Sequence, residues 1–173
     1  MSRNLVSNIL LFICLIFIQV LACNHIMLFN VALAFVFIYV IIRLPIDMNP
    51  IGVLTWGFLA GLAVDIFADT PGVNALACTI MAMFRKPILF LYVPQDDRTK
   101  NIIPSLQSLG FAVYGKYLYS ISLMYCLLVF SIEYFNFASV KEIIILSLAS
   151  SLFTFLILLG TDSLMVTQRE KRL

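Results

Sequence analysis

Few residues in this apolar chain are able to do chemistry, and they gather in the stretch from Gly57 to Leu76, GFLAGLAVDIFADTPGVNAL. On a helix, Gly57, Gly61, Asp65 and Asp69 recur every fourth residue and form one ridge. Two glycines on a ridge let a second backbone approach closely. Paired carboxylates can serve acid–base work, and a carboxylate inside an apolar helix is costly unless it is hydrated, bonded or protonated. Two uses follow. The ridge is a packing seam whose outer end is wetted, or Asp65 is a buried acid that holds a partner. The seam reading predicts that Asp65→Asn folds normally, since Asp65 lies one turn from Asp69 and the surface.

The remaining chemistry is sparse. His25 is the only histidine, and Cys14, Cys23, Cys78 and Cys126 are scattered singly, none in a CxxC pair. Cysteines in such positions act as small hydrophobes, so no metal site is expected. No nucleophile is paired with a base, and neither GxxxxGK[ST] nor GxGxxG occurs. The expectation is a non-enzymatic chain without cofactor and without nucleic acid as a partner. The second oddity is Arg85-Lys86-Pro87 inside an apolar run. If the third and fourth spans are antiparallel, Asp65 and Arg85 are separated by about 15 Å of depth at about 1.5 Å per residue, too far for an ion pair. Asp65 therefore needs Asn74, a backbone group, water or another protein.

These residues must be positioned by helices in lipid. The chain has 173 residues, 62% hydrophobic and 12% charged, with a mean hydropathy of +1.05. Soluble domains carry roughly twice that charge, and a soluble core of this size could not hide so much apolar surface. At about 20 residues per crossing the length accommodates five or six helices. The pattern predicts an all-α integral membrane protein of one domain, with spans near 5–22, 26–42, 51–68, 71–93, 117–135 and 143–165. The first segment also has the look of a signal peptide, and Val20-Leu21-Ala22-Cys23 that of a lipoprotein cleavage site. It is read as a span because the rest of the chain is itself a series of spans.

Local signals set the details. Asn24-His25 makes a tight turn. Helix two is an unbroken run ending at Pro45. Thr70 caps helix four, with Pro71 at its first position and Gly72 and Asn74 in its first turn. Pro87 kinks that helix. Residues 102–113 are either an interfacial helix or a plain loop, broken by Pro104 and Gly110. Tyr114, Tyr117 and Tyr119 mark one membrane interface and Tyr134 and Phe135 the other. Ser147, Ser150, Ser151 and Thr154 give helix six a small polar stripe for helix contacts, and Asp162 lies near its far end. Six spans place ten of the eleven basic residues on one side and only Lys141 opposite. Both termini are then cytoplasmic.

Gly61-Leu62, Asp65 three residues on, Gly72, and Ala75-Leu76 in the next turn, with Gly57 upstream, carry a resemblance to the rod shape-determining protein MreD family. In detail it covers Gly57 to Phe84; beyond that the match is length and topology. Pro71 and Arg85-Lys86-Pro87 depart from the family pattern. The resemblance implies a scaffold of the bacterial cell-elongation complex, associated with MreC, within an assembly that includes MreB, RodA and a class B penicillin-binding protein and directs peptidoglycan synthesis. MreD-like chains also resemble, in architecture, the six-helix substrate-binding components of energy-coupling-factor transporters. That implies an alternative, a small-molecule-binding transporter subunit.

Overall fold

The computed structural model describes residue 19 and residues 33–94, 103–134 and 140–170, with the side chains of 164–170 left aside. The first expected span (5–22), the Asn24-His25 turn and residues 26–32 of the second span lie outside the described residues, Gln19 excepted. The described residues form a short 3₁₀ turn, Val36–Ile38, that runs into α1 (Tyr39–Ile42). Four long helices follow: α2 (Pro50–Ala68), α3 (Val73–Tyr92), α4 (Leu106–Glu133) and α5 (Val140–Glu170). All four long helices have the length and apolarity to cross a membrane, α5 over Val140–Ser163. The chain is a multi-pass helical membrane protein.

In α5 the polarity is turned inside out. Ser147, Ser150, Ser151, Thr154 and Asp162 are fully buried, while Leu148, Leu152 and Leu156 on the opposite face are about half exposed. A soluble helix does the reverse. Helix α2 packs on α3, α3 on α4, and α4 on α5, and residues 34–42 thread the centre, all buried.

The second span is not an unbroken helix. Residues 33–35 have no helical structure, although nothing in IMLFNVALAFVFIYVIIR breaks a helix locally. Their backbone groups are instead satisfied by side chains from elsewhere. Ser150 Oγ accepts from Leu33 N–H (3.1 Å) and Thr154 Oγ1 from Phe35 N–H (3.1 Å). The Gln19 amide accepts from Val36 N–H and donates to the Ala34 carbonyl, both at 2.8 Å. Irregular backbone within an apolar interior persists only where protein groups supply its hydrogen bonds. The polar stripe of α5 and Gln19 supply them.

Other boundaries follow from identifiable caps. Asn49 accepts from Ile51 N–H and Pro50 opens α2. Helix α3 begins at Val73, not at Pro71: its N-cap is Gly72 at φ 81°, and Thr70 turns away to bond Asp65. Pro87 sits on the exposed face of a helix that continues to Tyr92, so it does not end α3. Helix α4 starts eleven residues earlier than 117. Ser105 and Ser108 form a reciprocal capping box, and the chain breaks helical geometry once, at Gly110 (φ 74°, ψ 160°). Residues 106–113 are thus the kinked first part of α4, residues 103–105 lead into it, and residue 102 is outside the described residues. Tyr114 and Tyr117 are fully buried and form no interfacial belt, while Tyr119 packs edge-on against Phe155.

The α2–α3 contact is set by the two glycines. A Cβ on Gly61 would lie 2.5 Å from the Ala75 Cα and closer still to the Asn74 carbonyl; one on Gly57 would meet the Ala82 Cβ at 2.9 Å and the Cys78 carbonyl at 3.0 Å. Gly115 has open space at the same position. Gly61→Ala is expected to cost about 1 to 3 kcal/mol by forcing the helices apart. Gly57→Ala costs less, and Gly115→Ala nothing or a small gain from helix propensity. Unfolding midpoints in detergent check the order; three equal midpoints would remove the glycine seam.

Candidate functional site

Among the described residues the buried charged groups, Asp65, Arg85 and Asp162, collect at two ends of the bundle. At the first, Asp65 closes the turn between α2 and α3. It is 4% exposed. One carboxylate oxygen, Oδ1, accepts from Thr70 Oγ1 (2.6 Å), Asn74 N–H (3.0 Å) and Asn74 Nδ2 (2.9 Å), and Oδ2 accepts from Ala75 N–H (2.8 Å). Asn74 and Ala75 are the second and third residues of α3, whose N–H groups have no partner within the helix. Asp65 therefore caps α3 from the preceding helix, and its negative charge meets the positive end of that helix.

Gly61 makes this reach feasible, because it lets α2 lie against the Asn74–Ala75 backbone. The cap extends inward: Tyr125 of α4 donates its hydroxyl to Asn74 Oδ1 at 2.5 Å. The Tyr125 ring meets Phe35 and Phe37 edge-on, with centroids 5.1 and 5.8 Å away. The turn is thus linked through one tyrosine to the non-helical segment at the centre.

Asp69 does not share this site. Helix α2 ends at Ala68, and Asp69 is exposed in the left-handed region at φ 54°, so the ridge stops after Asp65. The carboxylate pair is not built, and the outer end of the seam is not wetted at Asp65. Gly72 serves as the N-cap of α3, and its positive φ favours glycine.

Arg85 lies at the other end. Its guanidinium donates to the Ile41 carbonyl (2.6 Å) and the Pro45 carbonyl (2.7 Å), where it terminates α1. Nearby, Asp162 of α5 accepts from Tyr39 Oη (2.5 Å) and from Leu106 N–H (2.8 Å), and pairs with Arg43 at 3.4 Å. Arg43 also donates to Tyr39 Oη and stacks over its ring. Asp162 does for α4 what Asp65 does for α3, since Leu106 is the first residue of α4. In the sequence, Asp162 stands out only by its position and Arg43 only by its side of the membrane. The available signal was an acid within an apolar span, the same signal that singled out Asp65. Tyr125 carried none.

Among the described residues no three His, Cys, Asp or Glu side chains are grouped to hold a metal. Cys78 and Cys126 are buried free thiols.

The arrangement fixes helix ends and presents no nucleophile–base pair among these groups. Replacing Asp65 by Asn leaves one acceptor oxygen where two were used and turns an N–H₂ toward the Ala75 or the Asn74 donors. The seam expectation of a tolerated Asp65→Asn is thereby revised: the substitution is expected to cost about 2 to 3 kcal/mol. Tyr125→Phe, which removes one bond, costs about 1 kcal/mol. Unfolding midpoints of the purified variants test this, and an Asp65→Asn protein as stable as the parent would contradict it. Comparison of the chain with protein-family models, with curated proteins and with solved structures returns no match.

Proposed function

We propose that the chain is an MreD-like, non-enzymatic scaffold of the bacterial rod-shape complex that associates with MreC in the inner membrane. One observation carries the reading. The residues of the resemblance, Gly57, Gly61, Asp65, Gly72 and Ala75, are far from a scattered set: they build one unit, the α2–α3 hairpin. Gly57 and Gly61 give the close approach, Asp65 the cap, Gly72 the left-handed N-cap and Ala75 one of the capped N–H groups. A motif that specifies a rigid hairpin suits a protein whose work is to hold a shape against partners. Its polar atoms are spent on one another, which suits a scaffold better than a subunit that offers them to a vitamin. The exposed apolar faces of α2 and α5 suit lipid and partner helices.

In this reading the bundle has six spans, with the Asp162 end in the cytoplasm. Arg43, Arg85, Lys86 and Lys116 lie toward that end and Lys141 toward the other, in keeping with the positive-inside bias. MreB, RodA and the class B penicillin-binding protein belong to the same assembly.

Two experiments test the proposal. Depletion in the host is expected to give round cells, and affinity capture of the tagged chain to recover MreC. Normal rods with a vitamin requirement would instead assign it to transport. With the native cysteines replaced by alanine, a cysteine at Pro71 is expected to react with an impermeant reagent in intact spheroplasts, and one at Asp47 only after lysis. The reverse pattern would contradict the orientation.

A further inference from the structure

Leu33, Ala34 and Phe35 are not helical, although they enter the buried centre of the bundle. Helix α5 sets their shape. Ser150 and Thr154 stand one turn apart, about 6 Å along the axis, and accept from the N–H groups of Leu33 and Phe35, only two residues apart. Two residues of helix advance about 3 Å, and two of extended chain about 6.6 Å. Only the extended chain matches the hydroxyls. Phe35, at φ −109° and ψ 73°, is accordingly outside the helical region. The Gln19 amide completes the set on Ala34 and Val36.

The extended form is imposed by these three side chains and by nothing local. Residues 33–42, LAFVFIYVII, include neither Gly nor Pro, and their β-branched and aromatic side chains suit a strand or, within lipid, a helix. From Val36 to Ile42 the chain is already wound. Wound back through Leu33, its N–H groups would bond carbonyls four residues earlier. The freed hydroxyls have carbonyls of α5 within reach, as Ser151 bonds Leu148 at 3.0 Å and Thr161 bonds Leu158 at 2.8 Å. Both forms therefore satisfy the backbone, which is what an apolar interior demands. We propose that residues 33–36 are a two-state element, extended along α5 as here or helical in continuity with α1, and that its state is linked to the α2–α3 hairpin. The link is Phe35. Its ring meets Tyr125 and Phe130 edge-on, with centroids 5.1 and 6.3 Å away, and Tyr125 donates to Asn74 in the hairpin cap. Winding turns each residue about 100° from the one before and takes Phe35 off Tyr125. Whatever binds one form better acts on the cap, and a load on the cap acts back on the segment. The inference is independent of the scaffold reading, because its readout involves no partner protein.

The test is NMR of the full-length chain in detergent, with labelled alanine and asparagine. The Ala34 Cα and Cβ shifts report the form of the segment, and the Asn74 side-chain amide reports the cap. Ser150→Ala with Thr154→Val removes both acceptors, whereas Ser150→Thr and Thr154→Ser keep them. The double variant is expected to fold, to move Ala34 from extended to helical shifts and to move Asn74 with it; the two conservative variants should match the parent. A folded double variant with Ala34 unmoved, or with Ala34 moved and Asn74 unmoved, overturns the proposal. If the double variant does not fold, the parent decides. Saturation-transfer exchange at the Leu33 and Phe35 amides is expected to show a minor state with helical shifts, and a single state at both overturns the proposal.

Discussion

A carboxylate inside an apolar helix must be given donors, and here the donors for Asp65 are the first peptide N–H groups of the next helix. The rest of the described architecture leans on that exchange. The N–H groups of Asn74 and Ala75 would be orphans at the start of α3, and the charge of Asp65 would be stranded in α2; each resolves the other. The bond can form only if α2 lies against α3 at backbone distance, which Gly61 permits. Thr70 and Tyr125 then complete the shell around Asp65 and Asn74, and Tyr125 carries the same network to the aromatic rings of the central segment.

The same solution recurs at the opposite end. Asp162 takes the first N–H of α4, and Arg85 takes the carbonyls of Ile41 and Pro45. In water, helix ends are finished by solvent or by local side chains. In a bilayer that help is missing, so a charge from a neighbouring helix finishes them and is itself neutralised by the helix dipole. Ser150, Thr154 and Gln19 do the same with uncharged groups for residues 33–36. Gln19, Asp65, Arg85, Ser150, Thr154 and Asp162 mark places where the backbone stops being helical.

Legibility in the sequence follows from how local each cause is. The Gly57–Gly61–Asp65 ridge could be read because spacing fixes it, while Asn74 and a backbone group are two of four partners the sequence leaves open for Asp65. The third span, expected from about 51, starts at Pro50, where Asn49 caps it. Other features depend on distant partners. The break at 33–35 lies in a sequence with no glycine or proline, and its causes are more than a hundred residues away at Ser150 and Thr154. Tyr114 and Tyr117 read as an interfacial belt because they precede an apolar run; α4 starts at Leu106, which carries them inward and into the core. Thr70-Pro71 had the composition of an N-cap, but the Thr70 hydroxyl is drawn to Asp65 and the cap passes to Gly72.

Hydrogen exchange at the start of α3 tests the central claim most directly. Amides in the first turn of a helix ordinarily exchange fast, since nothing in the helix holds them. With the Asp65 carboxylate bonded to both, the Asn74 and Ala75 amides are predicted to exchange as slowly as that of Cys78, one turn further in. Exchange at these two amides as fast as in an open turn, with Cys78 still protected, would contradict the account.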